Sequence, residues 1–258
     1  LSLLPARFHS RYDGPLPRSA SRKNEGVMVS HVEITKVKPE ELRLNTLPPK
    51  VKRAFEMCTK FRFLSCKEWY LAGGTALALQ AGHRQSVDLD FFSPRGAFGA
   101  SSLERFLFNT KKWETAFGES GTLYGRLRGA KMSFIAYPFF KPSPARVQCG
   151  NICILTPADI AAMKILAISQ RGRKRDFVDL YWYCSNREAL EGIIQSAIFQ
   201  YRGQEHNLPH ILKSLVYFED AENDPMPKLF FRADWRTIKA YFRREVPKVA
   251  RKLLKLGK

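Results

Sequence analysis

The segment LAGGTALALQAGHRQSVDLDFF, residues 71–92, determines the predicted fold and contains the candidate site. Residues 69–74 predict a short strand that runs into a double-glycine turn. Residues 75–82 carry small and apolar side chains and predict a helix that ends at Gly82. Residues 86–92 predict a second strand, because apolar and acidic residues alternate along it. The segment therefore predicts a strand–turn–helix–strand unit.

Two acidic residues, Asp88 and Asp90, lie in the second strand. Side chains two residues apart on a strand point to the same face, so the two carboxylates are expected a few ångströms apart. Like charges at that distance repel each other unless a cation lies between them, and Mg²⁺ (or Mn²⁺) prefers oxygen ligands. Leu89 and Phe91 place the strand next to a core, where a pair of carboxylates on one face is unfavourable unless it serves a function. The pattern predicts a metal site at Asp88 and Asp90.

The double glycine precedes this pair. Gly73, Gly74 and Thr75 lie where the first strand turns into the helix, and main-chain N–H groups at a helix N-terminus can bind a phosphate. Alone, a glycine pair is usually a tight turn and an Asp-x-Asp pattern is usually a solvated strand face. Together they fit a nucleotidyl transfer site, where a metal on the carboxylates contacts a triphosphate held at the glycines.

The rest of the chain predicts an α+β protein with three regions. Residues 1–35 lack periodicity and are expected to form a flexible basic extension, with Met28 as a candidate translation start. Residues 36–155 continue with strand-like runs, including a hairpin that turns near Gly129, and are expected to form an α/β domain. Residues 156–258 are mostly helix-like and predict a helical domain that ends in a basic arm.

Composition limits the classes of function. The chain has 258 residues, 45% hydrophobic and 12% aromatic, which excludes a disordered or collagen-like protein. Without an apolar run of about eighteen residues, a membrane-spanning helix is not expected. The five scattered cysteines predict reduced thiols in a cytoplasmic protein, and the N-terminus does not resemble a signal peptide.

The formal net charge of +19 indicates a polyanionic partner. Residues 228–258 contain eleven Lys or Arg and two acidic residues, interleaved with Trp235, Tyr241 and Phe242. Basic residues with aromatic ones are typical of nucleic-acid binding. The alternative is an amphipathic helix whose apolar side chains pack inward, and both can hold because only one face needs burial.

A second block, ADIAAMKILAISQRGRKRDFVDLYWYC at residues 158–184, follows in the helical region. Together with residues 71–92, it resembles the AbiEii/AbiGii toxin family of type IV toxin–antitoxin systems, within the DNA-polymerase-β-like nucleotidyltransferases. The resemblance implies a nucleotidyltransferase-type mixed sheet followed by a helical domain. It also implies a reaction that transfers a nucleoside monophosphate from a nucleoside triphosphate (NTP), with Mg²⁺ or Mn²⁺ as cofactor.

The resemblance also implies roles for individual residues. Gly74 and Thr75 would hold the β- and γ-phosphates, Lys164 would contact a phosphate, and Asp179 would act as a base or a supplementary metal ligand near the attacking hydroxyl. Asp176 competes for that last role. The cations expected to contact nucleotide phosphate are Arg84, Arg171, Arg173, Lys174 and Arg175. In an alternative interpretation, Lys164 extends its charged end to solvent and the aspartates lie in water.

One position departs from the broader superfamily, where many members carry a third carboxylate on a later strand. The corresponding strand here, residues 130–135, offers Ser133, which cannot replace an anionic ligand. Either Asp176 or Asp179 substitutes, or the enzyme is weakened. His206 and His210 are more consistent with surface histidines than with a metal site, and His83 is expected to cap the small helix.

The expected acceptor is RNA, with the 3′ end of tRNA favoured by the family resemblance. A catalytically silent nucleic-acid-binding or regulatory module of the same fold is an alternative. Transfer to a protein or small-molecule hydroxyl is another, although the positive charge disfavours a cationic aminoglycoside. A cognate antitoxin is a further expected partner, without an assumed stable complex, and no membrane partner is expected.

Overall fold

The structure is a computed structural model that describes residues 33–66, 68–201 and 207–254. Its sheet contains eight strands, which are β1 (Glu33–Val37), β2 (Tyr70–Ala72), β3 (Asp88–Ser93), β4 (Trp113–Glu119), β5 (Thr122–Leu127), β6 (Ala130–Ala136), β7 (Ala145–Cys149) and β8 (Ile152–Leu155). The helices are α1 (Pro49–Cys58), α2 (Gly73–Ala81), α3 (Ala100–Phe108), α4 (Pro157–Arg171), α5 (Lys174–Asn186), α6 (Leu190–Gln200), α7 (Leu208–Ser214), α8 (Glu219–Glu222) and α9 (Trp235–Leu253).

The strands form one mixed sheet in the order β1-β7-β8-β2-β3-β6-β5-β4. Strands β3 and β6 are parallel, whereas β2 pairs with β3, and β5 with β6, in antiparallel orientation. The predicted α+β class with a mixed sheet is therefore confirmed. The hairpin near Gly129 is also present as β5 and β6, and Gly129 has the positive φ of 76° that a tight turn needs.

One face of the sheet is buried in the core. Leu89 and Phe91 of β3 are almost completely buried, and the Phe91 ring stacks on Phe134 of β6 with centroids 5.4 Å apart. Because side chains alternate along β3, Asp88 and Asp90 point to the opposite face. The burial of the apolar residues thus determines on which face the carboxylates lie.

Helix α2 begins at Gly73, directly after β2 and two residues earlier than the sequence pattern predicts. Gly73 has a φ of +70°, a conformation that residues with a Cβ rarely adopt, and it lets the chain turn from strand to helix without a longer loop. Gly82, also at φ +70°, ends the helix as expected.

In the described part of the chain, all strands precede Thr156 and helices α4–α9 follow it. Thr156 caps α4 by accepting a hydrogen bond from the Asp159 N–H, and Gly172 ends that helix. That residues 36–155 and 156–258 are separate domains stays a prediction. Of the expected extension, residues 33–35 belong to β1, while Met28 and residues 1–32 lie outside the described residues.

The basic C-terminal segment forms α9, a 19-residue helix. Its apolar side chains Ile238, Phe242, Val246 and Val249 are buried. The amphipathic interpretation of this segment is therefore confirmed, and the basic residues on the other face remain available for a partner. No helix in the described ranges has both the length and the apolar character needed to cross a bilayer.

Candidate active site

The two carboxylates of β3 lie on the same face of the sheet, and both residues are half-buried. Asp90 Oδ1 accepts a hydrogen bond from Ser133 Oγ at 2.6 Å, and Asp88 Oδ2 lies 3.2 Å from Arg175 Nη1. Asp88 Oδ1 is buried and has no hydrogen-bond partner among the described residues. Burial raises the pKa of Asp90, and the charge of Asp88 adds to the rise, against the hydrogen bond from Ser133. Arg175 is thus a cation in direct contact with the pair, and one buried oxygen of Asp88 is left without a partner among the described residues.

The glycine turn lies against this pair. A Cβ on Gly73 would lie 3.2 Å from Asp90 Oδ2, and a Cβ on Gly74 would lie 2.0 Å from Arg84 Nη2. Glycine therefore lets the N-terminus of α2 approach the carboxylates and the arginine closely. The result is a helix N-terminus beside Asp90, whose main-chain N–H groups can donate hydrogen bonds to a phosphate.

Thr75 is 1% exposed, and its hydroxyl is used inside the protein. The hydroxyl donates to the main-chain oxygen of Asp88 and lies 2.8 Å from Ser86 Oγ. These contacts fix α2 to the start of β3. A contact between Thr75 and phosphate would consequently come from its main-chain N–H.

A buried cluster of ionic groups lies behind the turn, centred on Asp179. Both of its carboxylate oxygens accept hydrogen bonds from Arg84, at 2.6 and 2.9 Å. Lys164 Nζ lies 2.8 Å from Asp179 and 2.5 Å from Asp176. Burial raises the pKa of Asp179, but Arg84 and Lys164 outweigh that effect and hold the pKa well below its usual range. Asp179 is thus a buried, ionised partner of two cations.

Asp176 belongs to the same cluster. It is 1% exposed, and burial raises its pKa, but the charges of Lys164 and Arg171 lower it overall. The structure therefore brings Lys164, Asp176 and Asp179 together and buries all three, while their expected roles toward phosphate, metal and the attacking hydroxyl stay predictions. The interpretation that the aspartates lie in water is wrong.

His83 also belongs to this cluster, and the sequence does not predict this position. Gly82, and not His83, caps α2, while the His83 side chain points inward with Nε2 at 2.8 Å from Asp179. Burial lowers the pKa of His83, against the raising effect of Asp179, and its ring packs 5.2 Å from that of Trp182. The only hint in the sequence is its position directly before Arg84.

The cations around the α4–α5 turn divide into two groups. Arg175 contacts Asp88, and the charge of Arg171 acts on Asp176, so both lie at the site. Arg173 instead pairs with Asp224 at 2.8 Å, and Lys174 donates to the main-chain oxygens of residues 222 and 224. The expectation that Arg173 and Lys174 contact nucleotide phosphate is not supported, because both side chains bind the segment before α9.

The residues present fit a magnesium-type ion. Mg²⁺ is commonly held by one or two carboxylates together with substrate phosphates, and Asp88 offers an unpartnered oxygen next to Asp90. Within the described ranges, no group of three or more His, Cys, Asp or Glu side chains is arranged so that it could hold a metal ion by itself. His206 lies outside the described residues, and His210 contacts the Ser169 main-chain oxygen at 3.0 Å.

A carboxylate pair, a glycine-opened helix N-terminus and two nearby arginines are the parts of a nucleotidyltransferase site. Comparison with known proteins agrees. Residues 61–127 and 138–255 match the model of the nucleotidyl transferase AbiEii toxin family of type IV toxin–antitoxin systems. An uncharacterised protein of Aquifex aeolicus (strain VF5) is 35% identical over 188 residues, which cover 70% of this chain and 87% of that protein.

Among solved structures, the chain is similar to the nucleotidyltransferase toxin MenT4 of Mycobacterium tuberculosis H37Rv. The identity is 15% and the TM-score 0.49, with 76% of this chain and 82% of that chain covered. The family match spans most of the chain, so the protein belongs to the AbiEii nucleotidyltransferase toxin family.

Proposed function

We propose that this protein transfers a nucleoside monophosphate from an NTP to an RNA acceptor, with the 3′ end of tRNA favoured, and that it uses Mg²⁺ or Mn²⁺. The single observation that carries the proposal is the Asp88–Asp90 pair, with its unpartnered oxygen, beside the N-terminus of α2. A bound divalent ion would neutralise charge on the triphosphate. Asp88 and Asp90 would hold that ion.

The chain's own residues would position the triphosphate. The main-chain N–H groups of Gly74 and Thr75 point from the α2 N-terminus, where they suit the β- and γ-phosphates. Arg175 would exchange Asp88 for a phosphate oxygen, and Arg171 would add positive charge from the end of α4. The acceptor hydroxyl would release its proton to solvent, its oxygen would bond to the α-phosphorus, and the bond to the leaving pyrophosphate would break, with attacking and leaving oxygens in line.

Asp176 and Asp179 suit a positioning role better than proton transfer. Both have a lowered pKa and both are buried against Lys164. Asp179 fixes Arg84 under the turn, where the guanidinium supports Gly74. Neither aspartate therefore replaces the third carboxylate that is missing at Ser133. We propose that the site works with two carboxylates.

An RNA acceptor fits the charge of the protein. Six basic residues of α9 are exposed, namely Arg236, Arg243, Arg244, Lys248, Arg251 and Lys252. A groove of about 300 Å³ lies beside them, lined in part by Tyr181, Tyr241 and Arg244. Basic side chains next to aromatic rings suit a nucleic-acid backbone and its bases. The free cysteines favour a reducing compartment, so we propose a cytoplasmic reaction, and the family suggests an antitoxin partner.

The proposal is tested by incubating the full chain with labelled NTPs and total RNA, with and without Mg²⁺ or Mn²⁺. Label should move to RNA in the wild-type reaction and be lost in Asp90→Ala. The matched control is Glu219→Ala, which removes an exposed carboxylate of α8. Label that moves only to a protein or a small molecule would contradict the RNA acceptor, and transfer that Asp90→Ala leaves unchanged would contradict the whole proposal.

A further inference from the structure

A row of side chains crosses the sheet from the candidate metal site. Asp90 of β3 pairs with Ser133 of β6, Ser133 with Tyr124 of β5, and Tyr124 with Phe117 of β4. Paired residues of neighbouring strands point to the same face, so all four lie on the face that carries the carboxylates. Strands are about 4.8 Å apart, and the row therefore leads from the reaction centre to an aromatic pair about 10–15 Å away.

The aromatic pair is accessible. Phe117 is 42% exposed, and its ring lies 6.2 Å from the Tyr124 ring at an interplanar angle of 29°. An exposed phenylalanine on a strand loses no contact when a flat apolar ring covers it. Burial raises the pKa of Tyr124, and the charge of Asp90 adds to the rise. The two rings, called the platform below, are neighbours on the face that carries the carboxylates.

A second row of paired residues runs parallel to the first, and its two central members are basic, while its far end is Glu114, which pairs with Arg126. Asp88 pairs with Lys131, and Lys131 with Arg126. Both cations are exposed and lie two residues along the strands from the aromatic row, which is about 7 Å. Stacking rings next to a line of positive charge are the features with which proteins bind single-stranded nucleic acid.

The in-line geometry of the reaction indicates which of the two substrates lies over this surface. The glycine turn that suits the leaving pyrophosphate follows β2, on one side of β3. In-line transfer requires the attacking hydroxyl to approach the α-phosphorus from the side opposite the leaving pyrophosphate. With the pyrophosphate at the glycine turn, an acceptor on the side of β6 and β5 meets this requirement and would lie over Ser133 and the aromatic pair.

We propose that Tyr124 and Phe117 stack the terminal base of a single-stranded nucleic-acid acceptor, while Lys131 and Arg126 contact its backbone phosphates. This inference rests on the proposed function and adds the acceptor subsite to it. Ser133, a small uncharged residue that donates a hydrogen bond to Asp90, lies between the metal site and the two rings, where the terminal ribose would bind. The platform then holds the 3′ hydroxyl near the α-phosphate.

The experiment uses the full chain and a short single-stranded RNA that ends in 3′-terminal 2-aminopurine, whose fluorescence falls when it stacks. Binding to the wild-type protein should quench the fluorescence, and Phe117→Ala and Tyr124→Ala should abolish most of the quench. In the transfer assay the same variants should raise KM for RNA by about ten-fold and leave KM for NTP unchanged. Phe108→Ala, at an exposed phenylalanine of α3, is the matched control.

The possible failures are distinguishable. Quenching by a wild-type protein that transfers no label would overturn the proposed function and support the platform. Transfer with no quench, or with an RNA KM that Phe117→Ala and Phe108→Ala affect equally, would overturn the platform and leave the proposed function standing. A change in the KM for NTP alone would assign the rings to the incoming nucleotide and also overturn the inference.

Discussion

Arg84 lies directly under Gly74. A Cβ on Gly74 would lie 2.0 Å from Arg84 Nη2, and the same guanidinium holds both carboxylate oxygens of Asp179. The glycine turn is thereby connected to the helical region through one buried arginine. Three features distant in sequence, the glycines, Arg84 and Asp179, act as one structural unit.

Gly74→Ala should destabilise the protein and remove activity. The added methyl group must displace the Arg84 guanidinium, and breaking its buried pair with Asp179 costs about 3–5 kcal/mol. Urea unfolding measures this loss. Gly96→Ala is the control, because a Cβ there meets no described atom within 4 Å. Equal unfolding midpoints for the two variants would show that the Arg84 guanidinium can move away from the added methyl group without a loss of stability.

Asp179 should make stability depend on pH at the acid end. Its pKa in the folded protein is held well below the value near 4 of an unfolded chain. A depressed carboxyl pKa contributes stability above the unfolded value, and the contribution disappears as the pH falls through the folded pKa. The destabilisation caused by Asp179→Asn should therefore be largest near neutral pH and shrink in acid.

Urea unfolding across that range checks the prediction. Asp220→Asn, at an exposed aspartate of α8, serves as a control whose effect should be small at every pH. A penalty for Asp179→Asn that stays constant down to strongly acidic pH would mean that the ion pairs with Arg84 and Lys164 do not determine the folded pKa.

The parts of the site that could be predicted from sequence are those that depend on local periodicity. The alternation Asp88-Leu89-Asp90 places both carboxylates on one face, and this follows from strand geometry alone. The position of His83 could not be predicted, since it depends on how α5 packs against the turn and brings Asp179 to within 2.8 Å. Arg173 and Arg175 are equivalent in sequence, and only the packing of the segment before α9 separates them.

The same limit applies across the sheet. The sequence predicts β5 and β6 as a hairpin, but the parallel pairing of β6 with β3 joins strands that are about 40 residues apart. The contact between Ser133 and Asp90 arises from that non-local register. The sequence shows that Ser133 stands where a third carboxylate is expected. It does not show that Ser133 donates a hydrogen bond to Asp90.

Asp88→Asn should abolish binding of a divalent ion without unfolding the protein. The substitution removes one of two adjacent negative charges, and a neutral amide is a weaker ligand. Removing charge repulsion between Asp88 and Asp90 should leave stability unchanged or slightly raised. Isothermal titration with Mn²⁺ in the presence of a non-hydrolysable NTP analogue measures the loss. The control is Asp234→Asn at the N-cap of α9, which should bind Mn²⁺ as the wild type does.

Arg175→Ala should weaken NTP binding selectively. The Arg175 side chain is 44% exposed and lies 3.2 Å from Asp88, so it can move to a phosphate oxygen when substrate arrives. We expect KM for NTP to rise by roughly ten-fold, the effect of losing one charge-assisted hydrogen bond of about 1.5 kcal/mol. Stability should change little, because a half-exposed ion pair contributes weakly.

Arg173→Ala is the matched control for this prediction. It removes an arginine of the same turn that is 49% exposed and also pairs with one carboxylate, but its partner is Asp224, before α9, and not Asp88. The two variants thus alter the net charge equally, and they differ in the carboxylate that the lost arginine contacts. If both raise the KM for NTP to the same extent, the effect of Arg175 comes from the general positive field and not from contact with a phosphate. If only Arg175→Ala does so, the nucleotide phosphates lie between the α4–α5 turn and Asp88.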